Sequence, residues 1–164
     1  MKALMQTAIA GLLTLLFYGC EQPGGKASSD KDSKGEPLVV ITSKELVPNR
    51  DGLYYSKQTK KPFTGRVDES FPFIKEQIKV ARHFKDGKMH GLRTQYYSDG
   101  KKWIEISYED GKKHGRAVNW HRNGQAQWER HFKQNLLDGD SIRYDLEGNV
   151  TQHVIYKMGR VEKA

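Results

Sequence analysis

Apolar residues recur along most of this chain at two spacings: every second position within short segments, and every 24 positions between segments. Phe84, Tyr108, Phe132 and Tyr156 form one ladder at that interval, and Tyr96, Trp120 and Tyr144 form another. Alternation marks half-buried strands. A fixed period within about 20–50 residues marks stacked supersecondary units, none of which can bury its apolar side alone. The glycines keep the same period. Gly91, Gly115 and Gly139 hold one register, Gly100, Gly124 and Gly148 a second, and Gly87, Gly111, Asn135 and Gly159 a third.

Each unit predicts a β-hairpin turning at Asp99-Gly100, Asn123-Gly124 or Glu147-Gly148. A two-residue type I′ turn needs positive φ at both central residues, which Glu147 adopts poorly. A three-residue loop closing in a G1 bulge asks this only of the glycine, and it fits all three units. With loop Ser98-Asp99-Gly100, Leu92 pairs with Ile106 and Thr94 with Ile104, so the even-numbered residues share a face. That face then gathers Tyr96, Trp120 and Tyr144 with Tyr108 and Phe132. The expected fold is all-β, an elongated single-layer antiparallel sheet of stacked hairpins.

Upstream, Leu38 to Ile41 reads as a strand and Pro48 to Gly52 as a turn, after which Leu53-Tyr54-Tyr55 and Pro62-Phe63-Thr64-Gly65 resemble a degenerate first unit. Gly65 to Gly91 spans 26 residues, so this unit is expected to be a hairpin with an enlarged loop around Phe71-Pro72-Phe73. Glu21 to Glu36 is rich in Gly, Ser, Lys and Asp without apolar periodicity, the composition of a flexible tether. Before it lie Lys2, an apolar run from Ala8 to Tyr18, and Gly19 directly preceding Cys20.

This N-terminal pattern resembles a bacterial lipoprotein signal, which implies removal of residues 1–19 and acylation of Cys20. A plain secretory signal and an uncleaved anchor are the alternatives. The expected organisation is a signal at 1–19, a lipidated tether at 20–37 and a repeat domain at 38–164. In a diderm host, Glu21 after the cysteine points to the outer membrane by analogy with lipoprotein sorting. Cys20 is the only cysteine, so no internal disulfide forms and the domain holds by packing and backbone pairing.

The repeat running from Gly91 through Tyr96, Asp99-Gly100, Tyr108 and Gly111 to Gly115 resembles the bacterial variant of the MORN repeat. The opening Gly52-Leu53-Tyr54-Tyr55 with Lys61 to Gly65 is similar to the start of bacterial proteins labelled YwqK-type antitoxins. The resemblance covers about residues 52–162, and it implies a hairpin array serving interaction or membrane association. An antitoxin role in the cytosol is the alternative reading and requires Cys20 to remain unprocessed.

The formal charge of +8 favours anionic surroundings such as headgroups or acidic polymers. From Val80 to Ala164, however, 16 Lys and Arg are interleaved with 11 Asp and Glu, as on a solvated sheet. No nucleophile elbow or phosphate loop occurs, and Glu105, Glu109, Asp110 and Glu129 are scattered, which argues against an enzyme, an envelope hydrolase included. His90 and His114 occupy equivalent positions, as do His83 and His131, but one repeat advances about 10 Å and a third ligand is lacking, so no metal is expected. No cofactor or nucleic acid is expected. The expected role is an interaction module at the bacterial cell envelope. Its candidate binding face is Tyr96, Trp120, Tyr144, Tyr108, Phe132 and Arg116. Its expected partners are a protein, an anionic envelope polymer or a second copy in a homodimer, with the membrane reached through Cys20.

Overall fold

The computed structural model describes residues 26–31 and 37–163. The apolar segment 1–19 and Cys20 lie outside the described residues. The strands are β1 (Lys26–Lys31), β2 (Pro37–Thr42), β3 (Leu46–Pro48), β4 (Tyr54–Ser56), β5 (Gly65–Ser70), β6 (Ile78–Lys85), β7 (Lys88–Tyr96), β8 (Lys102–Glu109), β9 (Lys112–Trp120), β10 (Ala126–Lys133), β11 (Leu136–Tyr144), β12 (Val150–Lys157) and β13 (Arg160–Lys163). Eleven form one open sheet in the order β1-β2-β5-β6-β7-β8-β9-β10-β11-β12-β13, and β3-β4 is a separate ribbon. The expected antiparallel hairpin array is therefore present, with one parallel pair, β2 with β5.

The tether expected at 20–37 contains β1, which pairs antiparallel with β2 at Lys26↔Val40 and Ala27↔Val39. Strand pairing joins backbone groups and needs no apolar side chains, so the polar composition of this stretch gave no sign of it.

Two turn types alternate along the array. At one end, Tyr97 N–H donates to Lys101 O at 2.9 Å and Gly100 N–H to Tyr97 O at 3.0 Å, with Gly100 at φ +84°. The same pattern recurs at His121 to Gln125 and Asp145 to Asn149, so all three loops are the expected three-residue kind. At the other end the turns are two-residue type I′, with both central φ values positive: Asp86-Gly87, Asp110-Gly111, Gln134-Asn135 and Met158-Gly159. These turns are stapled to one another. Gly111 N–H donates to Met89 O, Asn135 N–H to Lys113 O and Gly159 N–H to Leu137 O, each linking a turn to the preceding hairpin.

Face assignment is where the structure departs from the sequence reading. Tyr96 pairs with Lys102, as the loop requires, but Gln95 pairs with Ile104, Arg93 with Ile106 and Thr94 with Glu105. Trp103 is an extra residue. The same slip leaves out Lys79, Gln127 and Thr151, again 24 apart. A bulge of this kind puts two residues of one strand opposite one of its partner and moves everything beyond it to the other side of the sheet. Leu92 consequently lies opposite Ser107, not Ile106.

The main core sits at the N-terminal end of the sheet. Ile41, Val67 and Phe84 from β2, β5 and β6 are buried with Phe63, and Leu46, Tyr54 and Met89 pack against them. Phe63, Leu46 and Tyr54 belong to the crossover between the parallel strands β2 and β5, so this crossover covers the apolar side here. Tyr54 and Phe63 approach Phe84 with ring centroids 5.2 and 6.2 Å apart. Burial of each such side chain contributes about 1.5–3 kcal/mol relative to exposure. Gly65 permits the close approach: a Cβ there would collide with the Val39 carbonyl and the Phe63 ring. Beyond β7, each strand packs chiefly against the strands to which it is hydrogen-bonded.

Candidate functional site

The bulges divide the expected binding residues between the two faces. One face carries Phe84, Tyr108, Phe132 and Tyr156, continuing the face whose start the crossover covers. Gly91↔Tyr108, Phe132↔Gly115 and Gly139↔Tyr156 fix that placement, and Lys113 Nζ, also on this face, lies 5.3 Å from the Phe132 centroid. The other face carries Tyr96, Trp120, Tyr144 and Arg116. The six residues expected to form one surface thus form two: Tyr108 and Phe132 stand opposite the other four.

Along the second face, half-buried Tyr96, Trp120 and Tyr144 stand at equal repeat positions near the three-residue loops. Lys102 Nζ lies 5.7 Å from the Trp120 centroid and 2.7 Å from Glu105 Oε2, and Thr94 Oγ1 donates to the same carboxyl at 3.3 Å. Arg116 binds Glu129 through two hydrogen bonds, Nε at 2.5 Å and Nη2 at 2.8 Å. These bonds hold the Glu129 carboxyl below the usual range for glutamate and raise the Arg116 guanidinium further. His153 Nε2 and Asp140 Oδ1 pair at 2.7 Å on the same face. Aromatic rings alternate here with charges already neutralised by their neighbours, a surface suited to contact more than to chemistry.

The carboxylates weighed as acid–base candidates are apart. Glu105 and Glu129 flank Val118 from the two neighbouring strands, and Glu109 and Asp110 sit at a turn. The repeat-equivalent histidines face local partners, His114 Nδ1 lying 3.1 Å from Glu109 and His90 Nδ1 3.7 Å from Asp110. His83 Nδ1 lies 2.7 Å from the Leu92 carbonyl. Among the described residues no three His, Cys, Asp or Glu side chains converge as metal ligands would.

Two clefts open beside the three-residue loops. One, of about 310 Å³, is lined by Phe71, Tyr96, Tyr97, Trp103, Arg122 and Lys79, among others. The other, of about 600 Å³, lies two repeats further on and is lined by His121, Trp128, Arg143, Asp145, Glu147 and Thr151, among others. Sequence reasoning missed Tyr97 and Trp103 because neither belongs to a 24-residue ladder. The signal available was the reverse one, since His121, Asp145, Gln127 and Thr151 stand at the equivalent places.

An open array of stapled hairpins with aromatic ladders is the architecture of a repeat-type binding or scaffold module. A family model described as the MORN repeat variant matches residues 89–110, which is β7 without its first residue, the three-residue loop and β8, together with the first residue of the following turn. This repeat type is a non-catalytic module. Comparison with curated proteins and with solved structures finds no match for the chain.

Proposed function

We propose that the protein is a non-enzymatic interaction module of the bacterial cell envelope, held to a membrane through acylated Cys20, and that it contacts partners with the Tyr96, Trp120 and Tyr144 face. The observation that carries the reading is this ladder itself. It recurs once per repeat on a face that the crossover leaves open, and Trp and Tyr are the side chains that most often anchor protein interfaces. Acylation rests on the apolar run from Ala8 to Tyr18 ending at Gly19-Cys20. The partner is a protein or an anionic polymer of the envelope.

Two measurements test this. Cys20→Ser should move the protein from the membrane to the soluble fraction; retention in the membrane through the same washes as the parent would place the anchor elsewhere. Trp120→Ala should lose partners captured from envelope extract while melting close to the parent, and Phe132→Ala, on the opposite face, should keep them. Equal capture by parent and Trp120→Ala would reduce the ladder to packing. A parent found wholly in the cytosol would favour the toxin-neutralising alternative.

A further inference from the structure

The repeat provides its own control for deciding which residues the fold requires. Directly before the three-residue loops stand Tyr97, His121 and Asp145, and at the bulge stand Lys79, Trp103, Gln127 and Thr151. Hairpins form equally well with each of these, so an aromatic residue at either place serves no need of the repeat. Only in the hairpin of β7 and β8 are both aromatic. There Tyr97 and Trp103 stack with centroids 5.9 Å apart and planes 32° from parallel, while Trp103 stays 43% exposed.

The surroundings are built as well. Tyr97 Oη donates to the Trp120 carbonyl at 2.9 Å, fixing the ring, and the Arg122 guanidinium lies 4.8 Å from the ring centroid. Arg122 meets no carboxylate among the described residues. Its position is Ser98 in the preceding unit and Leu146 in the following one. The cleft so formed is lined by Arg122, by Lys79, whose Nζ lies 3.6 Å from Glu69 outside the lining, and by the neutral polar groups of Gln95 and Ser98, with no acidic side chain among the lining residues. It continues into the enlarged loop through Phe71, and two residues further on Phe73 stands 97% exposed. The equivalent cleft two repeats on, by contrast, balances Arg143 with Asp145 and Glu147.

We propose that this cleft docks an extended peptide segment of a protein partner that presents an aromatic side chain next to a carboxylate. The proposal rests on the interaction-module reading and names the partner chemistry. The aromatic side chain fills the space between Phe71 and the Tyr97-Trp103 pair, and the carboxylate meets Arg122. A guanidinium already held against a ring loses little freedom on binding, and charge-assisted hydrogen bonds to carboxylates are the strong kind. At about 310 Å³ the cleft is at the small end of ligand sites, sized for one side chain rather than a whole cofactor. The exposed Phe73 lies along the path by which the rest of the segment leaves.

The test is titration of the full chain with a short peptide carrying one phenylalanine flanked by glutamates, read by the Trp103 indole N–H resonance and by calorimetry. The parent should bind it. Replacing the peptide's glutamates by glutamine, or the chain's Arg122→Gln or Trp103→Ala, should each weaken binding about tenfold, the scale of one lost charge-assisted contact. Both variants alter exposed side chains and should melt with the parent. No binding at millimolar peptide, equal affinity for the glutamine peptide, or equal affinity of both variants would overturn the proposal. So would a Trp103 response to a neutral β-linked oligosaccharide in place of the peptide. Failure of the module reading has a different signature: the parent captures no envelope partner although the peptide still binds.

Discussion

Replacing Gly124 by alanine isolates the backbone term of the loop that sets the whole register. Gly124 has φ +93°, and a Cβ built there meets nothing within 4 Å, so the substitution introduces strain without collision. Holding an L-residue in the left-handed region costs about 1–2 kcal/mol. For a chain of this size each kcal/mol corresponds to about 2–4 °C, so the melting temperature should fall by about 2–8 °C. Gly139→Ala is the internal comparison. Its φ is +108° and its Cβ would come within 3.2 Å of the His131 Cβ, so its loss should exceed that of Gly124→Ala. Glu147 supplies the opposite control, because it occupies the middle of the third loop and is not among the residues with positive φ. Glu147→Ala should change stability by less than about 0.5 kcal/mol, and Glu147→Gly should not stabilise. The assay is thermal and urea unfolding of the three alanine variants and Glu147→Gly beside the parent. An unchanged midpoint for Gly124→Ala, or a gain for Glu147→Gly, would mean a type I′ turn at this end and would undo the loop assignment.

The type I′ turns at the opposite end predict gains. Gln134 and Met158 hold φ of +50° and +47° at positions where asparagine is far better tolerated, so Gln134→Asn and Met158→Asn should each raise stability by up to about 1 kcal/mol in the same unfolding assay. A further expectation concerns acid. The Arg116 hydrogen bonds depress the folded pKa of Glu129, so its contribution is fully present above the unfolded value of about 4.3 and is lost as pH falls through the depressed folded value. Arg116 is 54% exposed, which limits the pair to about 1 kcal/mol or less. The stability difference between parent and Glu129→Gln should therefore shrink on acidification below about pH 4 and close at the acid end; a difference that does not change with pH would assign the pair no electrostatic role.

The period, the hairpins and the loop type were legible because each is written in residue identity: aromatics and glycines recur at 24, and Glu147 rules out the tighter turn. The faces were not. A bulge needs only one extra residue, and Lys79, Trp103, Gln127 and Thr151 share no property that would reveal it. One such residue per hairpin was enough to separate Tyr108 and Phe132 from Tyr96, Trp120 and Tyr144. The cover over Phe84 escaped for another reason. It is made by the three-residue strands β3 and β4 and by Phe63, segments too short to show alternation. Their attachment runs through backbone groups, Tyr54 N–H to Gly87 O at 2.8 Å and Gly87 N–H to Phe63 O at 2.9 Å, which no side-chain pattern announces. Arg122 illustrates a third limit. Its position was visible, but its place over Tyr97 depends on two adjacent hairpins lying side by side.

The division of the aromatic ladders between two faces is tested most directly by cross-strand proton contacts measured by NMR on the labelled chain. Cα pairing predicts that Arg93 lies opposite Ile106 and Thr94 opposite Glu105, with the Tyr96 ring near Lys102 and the Tyr108 ring on the far side of the sheet. Contacts joining Leu92 to Ile106 and Thr94 to Ile104 would contradict it, restoring a single face and withdrawing the distinction between the Trp120 and Phe132 surfaces.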